Sequence, residues 1–260
     1  MVTANDNIET LLISESMALS IVSMFVNEIT GIDGDGIIAV YLIGSLGGGY
    51  YRPGQSDIDT IIITKDQATI KQEQIDKVAS DYWHRFNIPK GFGSIMIHEI
   101  ELYPPYDRSK VEDFSFSVEI ARLKVQGKQF YQSYSISQVP MPNREDLIVD
   151  ARIMQNWLNK EFGYPMFDKL RTTGCINCIL GSMRDFLMID KGIFEFNKFK
   201  TIECYLKNAP PIYDLALFRE IDYYLKGQTT GEQLLLEKLQ RFGINLRDYL
   251  NKYLLNLDFC

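Results

Sequence analysis

The sequence predicts an α+β chain, with a mixed sheet and flanking helices in its N-terminal part and an α-helical bundle in the rest. Three observations carry this reading. Runs rich in β-branched residues, IIAVYLI (37–43), TIIIT (60–64) and SIMIHEIELY (94–103), all fall before residue 104. From residue 143 onward the apolar residues recur at helical spacing. Between the two regions, VPMPN (139–143) places two prolines where a boundary fits, which divides the chain into expected domains of 1–142 and 143–260.

The elements follow in order. Leu11, Leu12, Met17, Leu19, Ile21, Val22, Phe25 and Val26 fall on one helical face, so a helix is expected over 8–29. Strand 37–43, a glycine-rich loop and strand 60–64 come next. DQATIKQEQIDKVASDYWHRF (66–86) returns to helical spacing before strand 94–103. Past Pro104 and Pro105, VEIARLKVQGKQFYQS reads as a helix and then a short strand. The helical half divides into 144–160, 174–190, 198–207, 211–226 and 230–255, with Gly163, Pro165, Gly192 and Gly227 at the turns. Tyr205, Tyr213, Phe218, Tyr223 and Tyr224 recur there at core spacing.

Composition narrows the function. With 260 residues, 46% apolar content and a net charge of -7, the chain can bury a core but lacks the clustered basic surface that holds a long phosphate backbone. A small or cationic substrate fits better than nucleic acid. Four cysteines (Cys175, Cys178, Cys204, Cys260) are too few for a disulfide scaffold, the N-terminus lacks a secretory pattern, and no run approaches the roughly 18 apolar residues of a membrane span. A cytoplasmic protein, monomer or homodimer, is the expectation. Cys175 and Cys178 form a C-x-x-C inside a helical run without a second pair, which suits packing rather than zinc or redox work. His84 and His98 accompany no serine or cysteine nucleophile motif.

Chemistry concentrates in YLIGSLGGGYYRPGQSDIDTIII (41–63). Asp57 and Asp59 flank Ile58 at the mouth of an isoleucine strand, and alternation points both to one side. Two like charges held there repel, and a hard divalent cation such as Mg²⁺, bound by one or two carboxylates plus phosphate oxygens, resolves the repulsion. Gly44 to Gly49 let the backbone approach a phosphate, and the Ser45 hydroxyl can donate to it. These features together suggest a metal–nucleotide site.

The pattern of Gly44-Ser45, eleven residues, then Asp57-x-Asp59 resembles the signature of the DNA polymerase beta nucleotidyltransferase superfamily. The resemblance implies two Mg²⁺ ions, ATP as co-substrate and a third carboxylate on a neighbouring strand. Glu99 and Glu101 are the candidates for that acid, with Glu101 preferred for its apolar-acid-apolar setting as a metal ligand or base. The run NCILGSMRDFLMIDKGIFEFNKFKTIECYL resembles the helical segment of aminoglycoside adenylyltransferases of the streptomycin and spectinomycin type, and REIDYYLKGQ their later Gly-Gln turn. By that resemblance Arg184 and Lys198 contact ATP around the Gly192 turn, with Lys191 and Lys200 as competitors for the lysine's role.

The expected reaction is therefore transfer of AMP from ATP to a hydroxyl of a small molecule, an aminoglycoside or aminocyclitol antibiotic, with release of pyrophosphate. Before Arg184 the chain lacks the family's tryptophan and following acid, with Asp168 alone comparable, which favours spectinomycin over streptomycin. Glu119, Asp107, Glu112 and Asp113 are candidate liners of an anionic cleft. The alternative is a nucleotidyltransferase that modifies a protein partner, as in toxin–antitoxin pairs, or an unidentified metabolite.

Overall fold

A computed structural model of the chain describes residues 12–106, 116–162, 166–208, 210, 212–228 and 231–257. The candidate acids Asp107, Glu112 and Asp113 and the turn residues Gly163 and Pro165 lie outside them, as does the first part of the expected 8–29 helix. The chain divides into two compact units, one of residues 1–102 and 126–136, the other of 103–125 and 137–260.

In the first unit, helix α1 (Glu15–Asp33) starts where the Ser14 hydroxyl accepts the Met17 N–H. Its Ala18, Ile21, Val22, Phe25, Val26 and Ile29 are buried at helical spacing. Strand β1 (Ile37–Ile43) leads into a single helical turn, α2 (Gly44–Gly47), and then β2 (Ile58–Thr64). Helix α3 (Gln72–Phe86) begins six residues later than its spacing predicts. The Asp33 carboxylate takes the N–H groups of Thr69 and Ile70 and the Thr69 hydroxyl, which holds that segment out of the helix.

Strand β3 (Phe92–His98) pairs parallel with β2, β2 antiparallel with β1, and β1 antiparallel with β4 (Lys128–Tyr131), giving the order β3-β2-β1-β4. One face of this mixed sheet, carrying Val40, Leu42, Ile58, Ile62, Phe92 and Met96, packs into the same apolar core as α1 and α3. On that face Thr60 bonds Ser94 at 2.7 Å, and Thr64 bonds the His98 ring at 2.9 Å, so this histidine is part of a cross-strand polar pair. His84 stacks on Trp83.

Strand β3 ends earlier than the sequence predicts. Glu99–Leu102 form a 3-10 turn, because the Glu101 carboxylate accepts the His98 N–H at 2.8 Å and Asp66 accepts that of Ile100. As an outer strand, β3 has a free backbone edge, and Gln72 closes part of it. Its amide oxygen accepts the Met96 N–H at 2.7 Å and its NH₂ donates to the Ser94 carbonyl at 2.8 Å.

The second unit is helical, with α4 (Phe116–Gln126), α5 (Arg144–Phe162), α6 (Thr172–Lys191), α7 (Lys198–Lys207), α8 (Leu215–Leu225) and α9 (Glu232–Asn256). Its core gathers Ile176, Ile179, Leu180 and Met183 of α6 with Tyr205, Phe218, Leu239 and Leu246. Cys175 and Cys178 serve packing there, and burial pushes their thiols up to about 12 and about 11. Tyr213 and Tyr223, expected in the core, stand 65% and 52% exposed: Tyr213 precedes the Asp214 cap of α8, and the buried stripe of that helix runs through Leu217, Phe218 and Ile221 rather than Tyr223. No helix among the described residues is long and apolar enough to cross a membrane.

The Gln72 clamp leads to a stability prediction. Gln72→Ala leaves the Met96 N–H and Ser94 carbonyl without this partner and should destabilise the first unit by about 1–2 kcal/mol, measured as a lowered midpoint in urea unfolding.

Candidate active site

Asp59 is set by three strands' worth of geometry. It lies across from Ile43 of β1 and beside Gly93 of β3, so its carboxylate projects from the sheet face opposite the α1/α3 core. Gly44, directly after Ile43, has φ +62, and a Cβ there would stand 2.4 Å from Asp59 Oδ2. At Gly93 a Cβ would stand 3.0 Å from Oδ1 and meet nothing else within 4 Å. Two bare α-carbons therefore flank this carboxylate, and no larger residue at 44 leaves it in place. The role of Gly93 is invisible in the sequence, since it depends on the parallel register.

Asp57 directly precedes β2. Its position is fixed by a tight loop in which the Ser56 hydroxyl accepts the Arg52 N–H at 2.9 Å, while the Arg52 carbonyl accepts the N–H groups of Gln55 and Ser56. Tyr51 lies close enough to sense it. Burial is the main cause of the raised Tyr51 phenol pKa, followed by the negative charges of Asp57 and Glu15. Across the loop, Ser45 Oγ is buried and meets no hydrogen-bond partner among the described residues. A buried hydroxyl without a partner is costly, and a phosphate oxygen would satisfy it.

Among the described residues no three of His, Cys, Asp and Glu gather to hold a metal by themselves. Asp57, Asp59, the glycine cradle and the orphan Ser45 hydroxyl nevertheless fit Mg²⁺ carried in with phosphate oxygens, which needs only one or two protein carboxylates.

Glu101 does not join this pair. In the parallel register Asp59 lies beside Gly93 and Thr64 beside His98, so Glu101 follows the opposite end of β3. The five steps from Gly93 to His98 alone span about 16 Å. Glu99 shares that end, and β3 itself carries Gly93, Ile95 and Ile97 on the Asp59 face. The sequence reading assumed one continuous strand through 103, and the 3-10 turn breaks that assumption.

In the helical unit, α6 ends at Gly192, which adopts φ +63. The Gly192 and Ile193 N–H groups close the turn on the Met188 and Leu187 carbonyls. Asn197 then caps α7, accepting the N–H groups of Phe199 and Lys200. The turn brings Lys198 back to α6, where its Nζ donates to Asn177 Oδ1 at 3.1 Å. Arg184 lies two helical turns beyond Asn177, about 10 Å along the axis, and its Nε donates to the Leu180 carbonyl. Lys191 is held by its neighbour Asp190 at 2.8 Å and Lys200 is exposed, whereas Lys198 reaches from α7 across the turn to Asn177 of α6.

Asp185, which the sequence reading passed over, adjoins Arg184. Part of its surface stays open, yet burial raises its pKa to about 7, with Arg184 pulling it down and the negative charge of Asp150 pushing it up. Asp150 is itself buried and accepts the Ser117 N–H at the start of α4. Glu119 is buried and paired with Arg122 at 3.1 Å, and Asp168 is exposed.

No protein-family model matches the chain, and no curated protein matches it. Among solved structures, the chain is similar to the spectinomycin adenyltransferase AAD(9) from Enterococcus faecialis, crystallised with ATP and spectinomycin. The two are 13% identical with a TM-score of 0.60, over 90% of this chain and 99% of that one. A toxin–antitoxin structure with AMP-PNP matches at 17% identity and a TM-score of 0.30, over 56% of this chain and 95% of that one, too low to compare folds. The first likeness shows that the chain has the α+β fold of a nucleotidyltransferase with a helical C-terminal part.

Two outcomes follow from the geometry. Gly44→Ala should destabilise by about 1–2 kcal/mol for its left-handed backbone alone, and further by displacing Asp59, whereas Gly93→Ala should cost less than about 1 kcal/mol in the same urea titration. For Asp185 the folded pKa of about 7 lies above the ordinary carboxylate value of 3.8, so its stabilising contribution is full below the lower value and is lost as pH rises through about 7. Melting curves from pH 4 to 8 should show that loss in the native chain and a flatter profile in Asp185→Asn.

Proposed function

We propose that the chain is a Mg²⁺-dependent nucleotidyltransferase that moves AMP from ATP to a hydroxyl of a small molecule. The observation that carries this reading is the Asp59 carboxylate packed between Gly44 and Gly93, with the buried Ser45 hydroxyl, which has no partner among the described residues, directly after Gly44 and Asp57 two residues before Asp59. A structure of the same fold that holds ATP and spectinomycin supports it.

In this reading the Ser45 hydroxyl and the backbone at Gly44 bind phosphate oxygens, and Asp57 and Asp59 hold the metal. Mg²⁺, when bound, supplies charge neutralisation at the phosphates and polarises the α-phosphoryl group. The acceptor hydroxyl oxygen attacks the α-phosphorus in line, the bond to the bridging oxygen breaks so that pyrophosphate leaves with the electron pair, and the hydroxyl proton passes to solvent water. Arg184 and Lys198 bind phosphate oxygens as charged donors. An aminocyclitol of the spectinomycin type is the proposed acceptor. Glu101 is left out of the mechanism, because it follows the far end of β3 and its carboxylate already accepts the His98 N–H.

The test is incubation with labelled ATP and Mg²⁺ against spectinomycin, streptomycin and other cationic antibiotics. Asp57→Ala and Asp59→Ala should each lower transfer at least about 100-fold, the order seen when one electrostatic stabiliser is removed, with melting temperatures unchanged or higher. Arg184→Ala or Lys198→Ala should weaken ATP binding about 10-fold or more by calorimetry. Glu101→Ala should retain transfer. Near-normal turnover in either aspartate variant would sink the metal-site reading. Labelling of a partner protein or neutral metabolite, with no antibiotic modified, would move the acceptor but keep the chemistry.

A further inference from the structure

A second binding feature lies within the helical unit and owes nothing to the nucleotide reading. Along α5, Arg152, Gln155, Asn156 and Asn159 fall at spacings of three, four and seven, which places them on one stripe of the helix. Together with Asn251 and Leu254 of α9 they line a cleft of about 410 Å³, large enough for a small molecule. Gln155 is only 6% exposed, and its Oε1, like Asn159 Oδ1, is buried with no hydrogen-bond partner among the described residues. Arg152 is anchored, its Nη2 donating to the Leu254 carbonyl at 2.8 Å.

A buried carboxamide oxygen without a partner costs about 1–3 kcal/mol, and an apolar side chain of similar size would remove that cost. Retaining two of them on one cleft wall is therefore a stability sacrifice of the kind found at binding sites.

The geometry points to this cleft as a site for a neutral, polyhydroxylated small molecule of the sugar class. The chemistry of the lining chooses the class. Among the described residues four carboxamides line the cleft with no carboxylate beside them, which offers a cation no counter-charge there. The single guanidinium already donates to a carbonyl, which weakens the case for an anion. Hydroxyl groups both donate and accept, and so satisfy amides whichever way their oxygen and nitrogen are turned. Leu254 gives the aliphatic surface on which the C–H face of such a ligand rests.

Saturation-transfer NMR on the full chain tests this, with glucose and sorbitol as probes and sulfate and spermidine as anionic and cationic controls. Glucose or sorbitol should receive saturation from the native chain and lose it in Gln155→Leu. Without ligand that variant should melt about 2 °C higher, because a buried unsatisfied amide is gone. Should Gln155→Leu fail to fold, Asn251→Leu on the opposing wall carries the same binding test and should also lose the signal. No transfer to either polyol, transfer that survives the variants, transfer to sulfate or spermidine alone, or a lowered melting temperature in a folded Gln155→Leu would each overturn the proposal. Transfer of AMP from ATP is not among the readouts, so failure here leaves the nucleotidyltransferase reading standing.

Discussion

The register between β2 and β3 is the constraint on which the first unit depends. Because the pair is parallel and in step from Ile58 beside Phe92 to Thr64 beside His98, it decides what flanks Asp59. A shift of one residue would bring Phe92 or Ser94 beside that carboxylate and turn the Thr60–Ser94 pair away from its partner. The polar pairs at Thr60–Ser94 and Thr64–His98, together with the Gln72 clamp, hold this register from the core side and from the edge. Stability on one face thus sets site geometry on the other.

Much of this was legible in the sequence, and the gaps have physical causes. Strand 37–43, the loop at Gly44 and Ser45 and the aspartates at the start of β2 were readable because β-branched runs and turn residues are local signals. The Gly192 turn was readable for the same reason. The third acid was misplaced because IHEIELY alternates like a strand, while the bond from the His98 N–H to Glu101 that ends it is made by a side chain. Gly93 could not be found, since a lone glycine in GFGSIM acquires meaning only when another strand lies beside it. Tyr213 and Tyr223 were misjudged because an amphipathic pattern fixes the spacing of the buried stripe and says less about where its borders fall.

The helical unit places opposing charges on consecutive residues of α6. Burial raises the proton affinity of Asp185 most, Arg184 lowers it and Asp150 on α5 raises it further, so charges of both signs act on one carboxylate. Without the Arg184 charge, burial and Asp150 would act alone and the Asp185 carboxyl would hold its proton to higher pH.

The placement of β4 bears on the order in which a ribosome delivers the fold. Strand β1 lies between β2, which follows it closely in sequence, and β4, which arrives at 128–131 after the chain has passed through residues of the other unit. During synthesis the first 102 residues can form α1, α3 and three strands, but β1 then presents an open edge of seven residues. A nascent chain in that state carries a template for pairing with other chains until the last strand emerges. Slow translation between residues 103 and 127 would lengthen this exposure, so the interval in which the growing chain most needs a chaperone falls there.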